Sequence, residues 1–172
     1  MKFNYSAFKA IYLHEMDRFK RTLMQSLLSP VLSTSLYFIV FGSVIGGYVE
    51  KIDGISYGSY IVPGLLMLTL LTQSITNTSF GIFFPKFNGT IYEILAAPIS
   101  TLEIVLAFVG AGATKTLIVG VVIFITANFF VEVDVKYPLL VVFLLMLVAF
   151  TFALFGFLIG LMSSNFEQMS II

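Results

Sequence analysis

The sequence predicts an all-α, polytopic membrane protein, and three observations predict it. Hydrophobic residues make up 59% of the chain and charged residues 10%, where a soluble domain carries about 25% charged residues to face water. The charges are clustered, so that residues 22–49, 54–85 and 137–166 contain no Asp, Glu, Lys or Arg. These runs are apolar at almost every position, as over 139–161. They do not alternate in polarity as the roughly 10-residue strands of a transmembrane barrel do.

The three runs hold 28, 32 and 30 residues. A helix needs about 20 residues, at about 1.5 Å each, to cross a hydrocarbon core of about 30 Å. Each run is long enough to cross once and too short to cross twice. A fourth, 116–131, has 16 charge-free residues and reaches full length with Lys115 as a snorkelling end. The expected spans are therefore 26–48, 58–81, 104–131 and 138–162, within one domain over 1–172.

Residues 1–21 precede the first span as a separate element. Tyr5, Phe8, Ile11, Tyr12 and Phe19 recur at helical spacing on one face, and Lys9, Arg18, Lys20 and Arg21 fall largely on the other. This is the pattern of an amphipathic helix in the membrane interface. The apolar run after it exceeds the roughly 7–15 residues of a cleaved signal, so it reads as an anchor. Glu15 and Arg18, three residues apart, are expected to form an exposed pair worth a few tenths of a kcal/mol, on the order of 0.3.

Orientation follows from the Lys and Arg residues. Lys2, Lys9, Arg18, Lys20 and Arg21 precede the first span, and Lys86 and Lys115 lie between the second and the body of the third. Only Lys51 and Lys136 occupy the other two loops, which also hold Glu50, Asp53, Glu132 and Asp134. Basic residues favour the cytoplasmic side, so the N-terminus and residues 163–168 are expected in the cytoplasm.

Composition excludes several function classes. Nine basic and nine acidic residues leave no net charge, hence no long-range field for nucleic acid. Without cysteine there is no thiol chemistry and no Cys-ligated zinc, and the single histidine, His14, cannot build a metal cluster. Residues 110–116 (GAGATKT) resemble a phosphate loop, but Thr114 stands where Gly must precede the Lys, and no strand leads into it. Gly110, Ala111, Gly112 and Ala113 read instead as small residues for close helix packing. No nucleophile–base pair can be assembled, and no catalytic residue is assigned.

Two segments carry candidate function. On the second span Thr69, Thr72, Thr76 and Ser79 form a polar stripe flanked by Gln73 and Asn77. Such a stripe lines a substrate pathway or hydrogen-bonds across a helix interface. Residues 86–101 are too polar and too interrupted to cross. Thr90 with Glu93 three residues later reads as a capping box opening a short helix that Pro98 stops. Ile91, Ile94 and Leu95 are then presented beside Tyr92 and Glu93. Ser100 or Thr101 caps the next helix, with Glu103 at its positively polarised start.

These segments resemble the membrane-domain family of type-2 ABC exporters. The stretches carrying the resemblance are LLSPVLSTSLYFIVFGSVIG, YIVPGLLMLTLL and TIYEILAAPISTLEIVLAF, in that order. The resemblance implies a permease subunit of an ATP-driven exporter, paired with a second copy and served by an ATPase subunit that binds ATP and Mg, in the bacterial inner membrane. It makes Thr90, Ile91, Tyr92, Glu93, Ile94, Leu95 and Pro98 the helix that touches the ATPase, and puts Lys115 at the cytoplasmic mouth of the third span. It also implies six spans, so these four are expected to be part of a longer domain. A membrane scaffold, or a secondary transporter without ATP coupling, is the alternative. A secondary transporter usually places ionisable residues mid-membrane, and the charge pattern suggests none.

Overall fold

The computed structural model describes residues 3–45, 54–131, 133 and 135–170. Lys2, the far end of the first expected span, Glu50, Lys51, Asp53, Glu132 and Asp134 lie outside the described residues. Among those described the chain is helical, in seven α-helices: α1 (Tyr5–Arg21), α2 (Leu23–Tyr37), α3 (Tyr57–Phe87), α4 (Ile91–Ala96), α5 (Thr101–Phe130), α6 (Pro138–Met162) and α7 (Phe166–Ser170). A π-helical segment, Phe38–Ile45, continues α2. Four stretches are long and apolar enough to cross a membrane: Leu23–Phe41 and the whole of α3, α5 and α6.

Helix α5 is the centre, because its small residues let every neighbour approach. Gly112 lies against Thr78 and Gly120 against Leu70, a register that runs α3 antiparallel to α5. Gly110 faces the Tyr12 ring of α1, and Ala113 joins a core with Phe108, Ala149, Ala153 and Phe157. The 110–113 run is thus a packing device, with Gly110, Gly112 and Ala113 each meeting a different partner and Ala111 buried among them.

Helix α6 runs parallel to α3 along a second seam of small residues. A Cβ on Gly156 would stand 2.5 Å from the Ile75 carbonyl oxygen, and one on Gly160 2.5 Å from that of Ser79. Backbones this close need the small-xxx-small spacing that Gly156 and Gly160 supply. At the end of the seam Lys86 of α3 donates to the Leu161 and Ser163 carbonyls, at 2.6 and 2.8 Å. A cation there satisfies carbonyls that the end of α6 leaves open.

The amphipathic face of α1 is turned onto α5. Asn4 meets Glu103, Tyr12 donates to the Thr114 hydroxyl at 3.0 Å, and Phe19 packs with Val119 and Ile123. The offset stays near 100 residues throughout, so α1 and the first half of α5 run side by side in the same direction. Of the expected apolar face, Phe8, Ile11 and Tyr12 are half-buried and Phe19 is buried, whereas Tyr5 is exposed. Helix α2 continues in the same direction until Phe38 stacks on Phe130, with ring centroids 5.7 Å apart.

Candidate functional site

Three arrangements carry chemistry, and the first is a groove between α2 and α3. Ser29, Ser33, Thr34 and Tyr37 of α2 face Thr69, Thr72 and Gln73 of α3 across a cleft of 270 Å³. Thr76 and Asn77 line a second cleft of 340 Å³ one turn further along α3. All five expected pathway residues therefore lie on one face, and α2 contributes hydroxyls to the same groove. Thr69 and Thr72 return their hydroxyl protons to the Leu65 and Leu68 carbonyls, and the Asn77 amide donates to Gln73 Oε1 at 3.2 Å. Ser79 is a correction to the expected stripe. It is buried on the α6 side of α3 and bonded to the Ile75 carbonyl, because it falls on the seam face.

The second arrangement is a buried ionic cluster where α1 and α5 meet beside α3. Glu15 Oε2 accepts from Lys115 Nζ at 2.7 Å and from Arg18 Nη2 at 2.8 Å. Glu15 and Lys115 are each 2% exposed. This overturns two expectations. The Glu15–Arg18 pair is not a solvated surface pair, since α5 covers the carboxylate. Nor does Lys115 snorkel to solvent from a helix end: α5 begins at Thr101, fourteen residues earlier, and Lys115 is buried at its middle. No sequence spacing signals a pair a hundred residues apart, although an acid within the apolar face of α1 was a usable hint.

The third arrangement is the loop between α3 and α5. Gly89 has φ +80°, a left-handed conformation that glycine adopts without steric penalty, and it turns the chain into α4. The expected capping box at Thr90 does not form. Thr90 already has helical dihedrals and makes no side-chain cap bond, since the Gly89 carbonyl accepts the first bond, from Tyr92 N–H at 3.1 Å. Glu93 is left pointing outward. The expected docking edge is also divided. Ile91 and Ile94, with Ile99, pack on the core around Ile104 and Phe108. Tyr92 is 73% and Leu95 62% exposed, and Glu93 and Pro98 are exposed beside them.

At the far end of this loop the expected cap is present. Ser100 accepts from Glu103 N–H, and Glu103 Oε2 accepts from Ser100 N–H at 2.8 Å. Its other oxygen accepts from Asn4 N–H at 2.6 Å, and the Asn4 amide donates to the Pro98 carbonyl. One carboxylate thus ties the start of α1 to the end of the α4 loop. The start of α1 was not legible as a partner of Glu103.

The sequence matches a known family over residues 6–172, described as ABC-2 type transporter. The chain belongs to the ABC-2 type transporter membrane family. It is 37% identical over 166 residues to proteins named inner membrane transport permease YadH in Escherichia coli strain K12, Escherichia coli O157:H7 and Shigella flexneri. The match covers 96% of this chain and 65% of each relative, so the chain spans just under two thirds of their length. No solved structure matches significantly.

Proposed function

We propose that the chain is the substrate-pathway portion of a permease subunit in an ATP-driven exporter of the bacterial inner membrane. In this reading it pairs with a second copy, its N-terminus and α4 face the cytoplasm, and a partner ATPase holding ATP and Mg docks on α4. Family membership and the names of the relatives support the transport role. The observation that carries the coupling role is the division of α4. Two isoleucines hold the helix on the bundle, and Tyr92, Glu93 and Leu95 stand free on the opposite edge. Free energy passes from an ATPase to a transport path only through a contact that differs between ATPase states. A helix clamped on one side and bare on the other provides such a contact.

The groove between α2 and α3 is the proposed path, with Thr69, Thr72, Gln73, Thr76 and Asn77 on one wall. Leu95→Asp in the full-length protein is expected to weaken ATPase docking about 30-fold, since a buried apolar anchor is worth about 2 kcal/mol. Insertion should stay intact, because no spanning helix is touched. Co-purification of the ATPase with its hydrolysis rate measures this, and normal values for both would remove α4 as the docking site. A second reading, ion-driven transport, is favoured by the buried Glu15–Lys115 pair. Uptake into vesicles lacking nucleotide, driven by a proton gradient, would support it.

A further inference from the structure

The 340 Å³ cleft between the α1–α2 junction and α3 has Lys115 and Arg18 in its wall, and its charges do not balance. Lys115 alone neutralises Glu15, yet Arg18 grips the same carboxylate oxygen. Asp17, two residues along α1 from Glu15, is engaged with Lys20 at 3.1 Å. His14 Nδ1, 4.0 Å from Glu15 Oε1, adds positive charge when protonated. The cluster therefore carries one surplus positive charge, with an Arg18 side chain that is 34% exposed and lines the cleft. An uncompensated charge beside an apolar bundle is costly unless a counter-charge meets it.

The rest of the lining matches one kind of counter-charge. Arg18 uses only Nη2 on Glu15, and its other donors are free among the described residues. Guanidinium donors form a planar fork that suits phosphate and carboxylate. The Thr76 hydroxyl donates to no acceptor among the described residues, and Asn77 lies beside it. Phe80 and Phe84, both exposed, form the apolar side of the same cleft.

We propose that this cleft binds an amphiphile with an anionic phosphate or carboxylate head and an apolar chain. Arg18 holds the head, Thr76 adds a hydrogen bond, and Phe80 and Phe84 flank the chain. The inference builds on the groove being a transport path, but binding needs neither ATPase nor turnover. The test uses the full-length protein in neutral-detergent micelles, with dodecyl phosphate as probe and native mass spectrometry as readout. Dodecyl phosphate should bind at least about tenfold more tightly than dodecylphosphocholine, which has the same chain and no net charge, because a charge-assisted bond is worth about 1.5 kcal/mol. Arg18→Gln should abolish that preference and Arg18→Lys should keep part of it.

Should Arg18→Gln fail to fold, Thr76→Val at an exposed position should still weaken binding about threefold. Equal binding of the two dodecyl probes, or a preference that survives Arg18→Gln, overturns the proposal. Inorganic phosphate binding as tightly as dodecyl phosphate would assign the site to a free anion and overturn the amphiphile. A Leu95→Asp protein that keeps dodecyl phosphate binding and ATPase coupling alike would sink the docking reading and leave this site standing.

Discussion

Helices α5 and α6 are both long enough to cross a bilayer, and they occupy opposite positions in the bundle. α6 is the more apolar, yet only 17% of its most apolar stretch is buried within the protein, against 56% for α5. The less apolar helix is the central one. In lipid, apolar side chains gain little by leaving the tails for another helix, so close packing and interhelical polar contacts decide which surfaces meet. α5 carries Ala107, Ala111, Gly112 and Gly120 where neighbours approach, and Thr116 and Lys115 are buried with them. α6 has one such face, through Ala149, Ala153, Gly156 and Gly160, while Leu139, Phe143, Leu147 and Leu158 look outward. Hydropathy identifies the spans; small and polar residues identify the core.

Four single substitutions sharpen that contrast. Gly156→Leu puts a side chain into the Ile75 backbone, which cannot rotate away, and should destabilise by about 3 kcal/mol or more. The neighbouring Leu158→Ala, on the exposed face, should shift stability by under about 0.5 kcal/mol. Thermal melting of the purified protein in detergent compares the two, and similar shifts would dissolve the distinction between seam and lipid face.

Next in size is Lys115→Met, which leaves the Glu15 carboxylate buried with only Arg18. Removing one partner of a buried pair costs about 3–5 kcal/mol, and the remaining arginine should hold the loss to about 2–3 kcal/mol. The double variant Glu15→Gln/Lys115→Met should recover most of it. Additive losses in this cycle would mean that the two groups do not interact. Smaller is Ser100→Ala, which removes one half of a reciprocal cap and should cost about 1 kcal/mol. Its effect should be read at the start of α5 by hydrogen exchange. Protection of the first turn equal to that of the parent would show that Glu103 holds the turn unaided.

The same contrast explains what was legible in the sequence. Charge-free runs announce spans because every charge in hydrocarbon is costly, so the four long helices could be read directly. The Ser100–Glu103 cap could be read because it is local. The facing of α4 could not, since six residues offer no stable period and the core that takes Ile91 and Ile94 is built by α5. The Glu15–Lys115 pair, the Asn4–Glu103 bond and the Lys86 cap on α6 join residues 75 to 100 apart, and only the packed bundle brings them together. Gly156 and Gly160 carried a readable spacing, although nothing in it names Ile75 and Ser79 as the surface they meet.

The docking role proposed for α4 requires it to face the side of the membrane opposite the start of α3, where an ATPase can reach it. The chain has no cysteine, so single cysteines placed at Ser56 and at Tyr92 report without background. In oriented vesicles exposed to a membrane-impermeant maleimide, Ser56→Cys should label from the outer side and Tyr92→Cys only from the cytoplasmic side. Labelling of both from one side would contradict the crossing of α3 and, with it, the docking role assigned to α4.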